Sequence, residues 1–173
     1  MNLISGNIKL RSFTENDAQR MAELANNEKI SQNLRDGFPH PYTLNDARTF
    51  IKNCMNQNPI TTFAIEYNGE HVGNVGLMPG QDVYRKSAEI GYFIGEPYWN
   101  KGIATIAINL ITEYGFKDLG LVRIHAGVFE YNNASMHVLE KCGYERDAVF
   151  KKAIVKKNSI WDEYRYSKIN LNC

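Results

Sequence analysis

The sequence has few cysteines, little net charge and no long apolar run, and each shortage excludes a class of protein. The three cysteines, Cys54, Cys142 and Cys173, lie far apart and form no Cys-x-x-Cys pair. Such an odd, scattered set argues against a disulfide framework or a zinc site and favours the reducing cytoplasm. The formal net charge is +1, which gives no support to a nucleic-acid or anionic-membrane partner.

Targeting and membrane-spanning signals are also missing from the sequence. Residues 1–6 lack the basic start and apolar run of a signal peptide, and no apolar stretch approaches the roughly 20 residues that cross a bilayer. No repeat, linker or low-complexity tract divides the 173 residues, a length that suits one domain. We therefore expect a single cytoplasmic domain over residues 1–173 with no metal, and leave a homodimer open as an alternative to a monomer.

Apolar periodicity and turn residues predict a mixed succession of strands and helices. A strand is expected over Ile8–Arg11. Thr14 and Asp17 have the spacing of a variant capping box, which predicts a helix after them, and Thr43 begins a second amphipathic helix. The further elements expected are strands over 62–67, 71–78, 87–94, 123–129, 150–155 and 161–169, and helices over 102–119 and 134–142. This order predicts an α+β fold with helices on both faces of a sheet.

A strand, a short turn and a helix start lie between Glu89 and Thr105. Free backbone N–H groups at a helix N-terminus, together with the helix dipole, form an anion site. Gly102 and Ala104 are small, so a phosphate can approach the backbone closely. Taken alone, this pattern is better explained by a plain strand-turn-helix that needs a glycine for packing. The sequence contains neither GxxxxGK[ST] nor GxGxxG after its first strand, which excludes the commoner nucleotide loops.

A second strand-to-helix junction follows the strand that ends at Phe129. At this junction Asn132 and Ser135 lie at the start of the next helix. One interpretation is structural, because asparagine is a favoured N-cap residue. The other is that both polar side chains face a ligand at this junction.

Together the two junctions resemble the GNAT superfamily of N-acetyltransferases, specifically its RimJ/RimL-like branch, and are similar to spermidine acetyltransferases around 113–116. The matching segments are Ala88–Tyr92, Tyr98–Thr105, Asn132–Ser135 and Leu139–Tyr144. Two positions depart from the superfamily pattern. Trp99 stands where Gln or Arg usually opens the pyrophosphate signature, and Leu139 stands where many members carry a tyrosine general acid.

The resemblance implies a three-layer α+β fold whose central sheet is mixed, mostly antiparallel and splayed into a V that holds acetyl-CoA. It implies that the strand residues Tyr92, Phe93 and Ile94 offer backbone groups to the pantetheine amides. It also implies that the helix start binds the pyrophosphate, through Asn100, Lys101, Gly102, Ile103, Ala104 and Thr105. Asn132 would bond the pantetheine arm near the thioester.

The same resemblance implies roles in acetyl transfer to a primary amine. Ser135 would be the general acid for the leaving thiolate, and Glu89 is the candidate base. Phe38 and Tyr42 lie where the family builds its acceptor pocket, although simple hydrophobic closure explains them equally well. The alternative for the whole chain is a non-catalytic acyl-CoA-binding or interaction module on the same fold.

Overall fold

The computed structural model describes residues 2–171. The strands are β1 (Asn2–Ser5), β2 (Ile8–Arg11), β3 (Thr62–Tyr67), β4 (Glu70–Pro79), β5 (Ser87–Ile94), β6 (Arg123–Phe129), β7 (Glu145–Lys156) and β8 (Ser159–Ile169). The helices are α1 (Asp17–Ala25), α2 (Glu28–Ser31), α3 (Leu44–Met55), α4 (Ile103–Lys117) and α5 (Asn133–Lys141).

The strands form one eight-stranded sheet in the order β1-β2-β3-β4-β5-β6-β8-β7. The first three strands and β4 pair in antiparallel fashion, as do β6 with β8 and β8 with β7. Strand β5 pairs in parallel with β6 over Ser87–Glu89. The expected α+β class and mixed, mostly antiparallel sheet are therefore confirmed.

By its internal contacts the described chain divides into two compact units. The first contains residues 2–76 and 92–111, and the second contains residues 77–91 and 112–171. The expectation of a single domain remains a prediction.

The core of the first unit lies between α1, α3 and the strand residues that face them. The buried helix residues include Ala18, Met21, Leu24, Ala25, Ala47, Ile51 and Cys54. Helix α3 begins with a capping box, in which the Thr43 hydroxyl accepts from Asp46 N and the Asp46 carboxylate accepts from Thr43 N. This satisfies two N–H groups that the helix itself cannot.

Only one of the two hydrogen bonds of the capping box expected at Thr14 is present. Asp17 accepts from Thr14 N at 2.8 Å, but the Thr14 hydroxyl also lies on the Asp17 carboxylate and Asn16 is the N-cap. The reason is a partly buried ion pair, because Arg11 donates to both Asp17 carboxylate oxygens at 2.7 and 2.8 Å.

This ion pair belongs to a polar network inside the first unit. Arg11 also donates to the Glu66 carboxylate at 2.7 Å. The Nδ1 atom of buried His71 lies 4.0 Å from Asp17 Oδ1, and its Nε2 donates to Gly73 O. Burial acts to raise the pKa of Asp17, but the hydrogen bonds from Arg11 and Thr14 outweigh it and lower that pKa. Burial lowers the pKa of His71, which favours the neutral imidazole in the folded unit.

In the second unit, the end of α4 and helix α5 pack on the same face of the sheet, against strands β6 and β8. A methyl group on Gly115 of α4 would touch Ile124 of β6 at 2.9 Å, and Tyr166 of β8 donates to Glu140 of α5 at 2.9 Å. Tyr166 pairs with Ala126, two residues beyond Ile124 on the same side of β6.

Strands β7 and β8 are longer than expected, because the exposed β7 carries little apolar alternation. Their turn is Lys157-Asn158, both with positive φ. Two elements were not predicted, the exposed strand β1 and the single-turn helix α2. Cys54 and Cys142 are buried, whereas Cys173 lies outside the described residues.

Candidate active site

In the first unit, the end of β5 is fixed by close backbone contacts. The Phe93 carbonyl oxygen lies where a side chain on Gly73 would begin, 2.2 Å from the ideal Cβ position. Gly95 N donates to Val72 O at 2.8 Å. Only glycine at position 73 permits this approach, so β4 fixes the strand segment expected to meet the pantetheine arm.

Trp99 ties that strand end to the turn before α4. Its indole N–H donates to Ile94 O at 2.6 Å. One lone pair of the Ile94 carbonyl is thus used within the chain. No local pattern predicts this bond, and in the sequence Trp99 stands out only as a departure from the family pattern.

The start of α4 has the shape of an anion site. Asn100 and Gly102 have φ values of +60° and +75°, which turn the chain sharply into the helix. An ideal Cβ on Gly102 has no atom within 4 Å, and α4 carries no acidic residue in its first turn. N–H groups of a first helical turn lack partners inside the helix. The residues present therefore suit a phosphate group.

Two cations lie beside this turn. The Lys101 ammonium is 5.2 Å from the centre of the Tyr98 ring, and the Arg20 guanidinium is 5.9 Å from it. Arg20 also donates to the Tyr98 hydroxyl, which in turn donates to Glu70 at 2.6 Å. Tyr98 thus anchors the turn and keeps positive charge near the α4 N-terminus.

The two aromatic residues proposed for acceptor binding lie together in the first unit. The Phe38 and Tyr42 rings are 4.8 Å apart, and Phe38 meets Phe93 edge-on at 5.7 Å. Tyr42 is only 5% exposed and joins the core, whereas Phe38 is half-buried against it. Burial raises the pKa of Tyr42 to about 12, so it remains a neutral phenol.

The predicted catalytic residues belong to the second unit. Glu89 stands opposite His125 in the parallel β5–β6 pair, and His125 stands opposite Ser167 in β8. Directly paired residues project from the same side of a sheet. Glu89 is half-buried on that side, which is opposite to the side that packs against α4 and α5.

Asn132 is the N-cap of α5, as the structural interpretation expected. Its Oδ1 accepts from Ser135 N at 3.2 Å, and its own N–H donates to Phe129 O at 2.8 Å. The amide nitrogen is then the part of the side chain with which Asn132 would bond a ligand. Ser135 lies half-buried in the first turn, and Leu139 is fully buried, so position 139 serves packing.

The described structure brings the coenzyme residues 92–94 and 100–105 together with Phe38 and Tyr42 in one unit. Glu89, Asn132 and Ser135 lie in the other. Among residues 2–171 no group of three His, Cys, Asp or Glu side chains forms a metal site. No helix in the same range is long and apolar enough to span a membrane.

Comparison with known proteins first gives the class of enzyme. An N-acetyltransferase of Bacillus subtilis, the uncharacterized YnaD, is 31% identical over 96% of each chain. Spermidine N(1)-acetyltransferase of Escherichia coli is 31% identical over 79% of this chain and 72% of its own length. The crystal structure of the microcin C7 self-immunity acetyltransferase MccE with acetyl-CoA and AMP has a TM-score of 0.82 at 27% identity, covering 96% of this chain and 94% of the other.

The family follows from a sequence model described as the acetyltransferase (GNAT) domain, which matches residues 7–145. The chain belongs to this family. It is an acetyl-CoA-dependent N-acetyltransferase, with acetyl-CoA as its co-substrate.

Proposed function

We propose that this enzyme transfers the acetyl group to a primary amine by direct attack in a ternary complex. The acceptor is a protein N-terminus, a polyamine or another small amine, and the chain belongs to the RimJ/RimL-like branch of its family. The observation that carries the proposal is the open start of α4, whose positive φ at Gly102 leaves room for a phosphate. The odd, scattered set of three cysteines supports a cytoplasmic location.

The first unit binds the coenzyme in this proposal. The α4 start, from Asn100 to Thr105, receives the pyrophosphate through backbone N–H groups, and Lys101 adds positive charge. The end of β5, from Tyr92 to Ile94, offers backbone groups to the pantetheine amides. The Trp99 bond to Ile94 holds these two parts together. Phe38 and Tyr42 are proposed to border the acceptor.

Two side chains carry the proton transfers in this proposal. The amine nitrogen forms a bond to the thioester carbonyl carbon, and the carbon–sulfur bond breaks. The amine loses a proton to Glu89, directly or through water, and the departing thiolate takes one from Ser135, whose hydroxyl regains a proton from solvent. An alkyl amine with a pKa near 10.4 is neutral in about one molecule in 2,500 at pH 7, but an α-amine is neutral in about one in ten. An alkyl acceptor therefore needs the base more.

A thiol-release assay with a panel of amines tests the proposal. Purified protein and acetyl-CoA are mixed with an N-terminal peptide, a polyamine and a simple alkyl amine, and mass spectrometry identifies the acetylated nitrogen. We expect release that depends on an amine. Binding of acetyl-CoA without release for any primary amine would contradict the proposed reaction and favour the non-catalytic alternative.

A further inference from the structure

In the second unit, strands β5, β6 and β8 present mostly polar residues on one face of the sheet. The residues that the register places on that face are Glu89, His125, Gly127 and Phe129 of β5 and β6, with Glu163, Arg165 and Ser167 of β8. Helices α4 and α5 lie against the opposite face. The coenzyme roles proposed above do not use Glu163 or Arg165.

Glu163 is a buried carboxylate in the middle of this face. The residue is 7% exposed, and its carboxylate lies over the backbone of β6, 2.7 Å from where a Cβ on Gly127 would stand. Its Oε1 accepts no hydrogen bond of normal geometry from the described residues, although Arg165 Nε is in contact with it. A buried carboxylate is costly unless a cation pairs with it, and here the Arg165 guanidinium is that cation.

Two aromatic residues flank Glu163 on the neighbouring strands. Glu163 stands directly opposite Phe129 on β6 and opposite Phe150 on β7. The Arg165 guanidinium sits 5.2 Å from the centre of the Phe150 ring. A carboxylate beside an aromatic face is a favourable environment for an organic cation, and in this structure the cation is the chain's own.

We propose that Glu163 and Phe150 form a subsite for a second cationic group of the acceptor, which Arg165 occupies when no acceptor is bound. The Arg165 side chain is 27% exposed, so it can withdraw into solvent when an ammonium takes its place. Strand spacing puts Gly127, under the carboxylate, about 8 Å from Glu89 across the face. A short alkyl chain bridges that span, so the acceptor is a diamine-type molecule with one amine at Glu89 and the other at Glu163.

This inference rests on the proposed function, and equilibrium binding tests it without acetyl transfer. Calorimetry in the presence of coenzyme A compares 1,4-diaminobutane with butylamine, which lacks the second charge. We expect the wild-type chain to bind the diamine at least about tenfold more tightly, the usual worth of a charge-assisted hydrogen bond. Glu163→Gln should remove this preference, and Arg165→Met should increase it because the competing guanidinium is gone.

The control is Glu113→Gln, which makes the same chemical change at an exposed ion pair with Lys117 on α4 and should keep the wild-type preference. The proposal is overturned by equal binding of the two amines to the wild type, or by a Glu163→Gln variant that retains the preference. If Glu163→Gln does not fold, Arg165→Met decides, and an unchanged or reduced preference there refutes the subsite. Diamine binding with no thiol release would refute the proposed reaction and leave the subsite standing. Release with butylamine but no preference for the diamine would do the reverse.

Discussion

Two glycines at the opposite ends of α4 allow the phosphate site to be tested with an internal control. Gly102 precedes the helix with φ +75°, and Gly120 follows it with φ +64°. An ideal Cβ at either position has no atom within 4 Å. A substitution therefore meets the same kind of backbone strain and open surroundings at both, but only Gly102 lies at the proposed pyrophosphate site.

The backbone strain that a substitution introduces and the repulsion between a new carboxylate and the phosphate differ in size. A non-glycine residue in the left-handed region costs roughly 1–2 kcal/mol, so Gly102→Glu and Gly120→Glu should lower the melting temperature by similar amounts, a few degrees per kcal/mol in a chain of this length. A carboxylate about 4 Å from a phosphate charge costs about 4 kcal/mol at an effective dielectric constant of about 20. That energy corresponds to about a thousandfold loss of affinity, which only Gly102→Glu should show.

Calorimetric titration with acetyl-CoA measures the difference. Gly102→Ala adds the same strain without the charge and should fall between the wild type and Gly102→Glu. If folded Gly102→Glu binds acetyl-CoA within about threefold of Gly120→Glu, a difference well under 1 kcal/mol, the α4 start does not hold the pyrophosphate.

Further changes test the proton transfers, the acid stability and the strand contact. Ser135→Ala should lower kcat by at most about 10²–10⁴-fold while leaving the acetyl-CoA dissociation constant nearly unchanged; wild-type turnover would remove Ser135 from the mechanism. Glu89→Gln should reduce kcat/KM most below the pKa of the acceptor amine and partly recover above it; pH profiles offset by a constant factor would eliminate the base role. Because the folded pKa of His71 lies below its ordinary 6.5, its stabilising contribution is complete above pH 6.5 and is lost as pH falls through the folded pKa. Urea unfolding should therefore show stability falling from pH 7 to 5, with a flatter slope in His71→Gln. The lowered pKa of Asp17 adds a second loss of stability below its ordinary 3.8. Trp99→Phe should weaken acetyl-CoA binding with kcat at saturation little changed, and a drop in kcat alone would contradict its positioning role.

The elements with buried, alternating side chains could be predicted from the sequence almost to the residue. Strands β5 and β6 have the expected bounds of 87–94 and 123–129, because one face of each is apolar. Helix α4 was expected over 102–119 and covers Ile103–Lys117, since the left-handed φ of Gly102 and Gly120 cannot continue a helix.

What the sequence could not predict depends on contacts between distant residues. Strand β7 is bulged between Phe150 and Ile154, where Asp162 of β8 accepts from Lys152 N at 2.8 Å. The residues of β7 are mostly exposed, so the sequence has no apolar alternation that would predict this strand. The burial of Glu163 follows from the pairing of β8 with β6 and β7, which no local pattern fixes. The N-cap role of Asn132 is local, and it could be predicted.

The hydrogen bond from Trp99 to Ile94 makes the intrinsic fluorescence of Trp99 a reporter of ligand binding. Indole emission responds to the loss or gain of a hydrogen bond and to nearby charge, and this indole lies next to the turn that is proposed to receive the pyrophosphate. The sequence contains only two tryptophans, so subtracting the signal of Trp99→Phe isolates the light that Trp99 emits. Rapid mixing with either substrate would then report, without any label, which one binds first and how fast the coenzyme leaves.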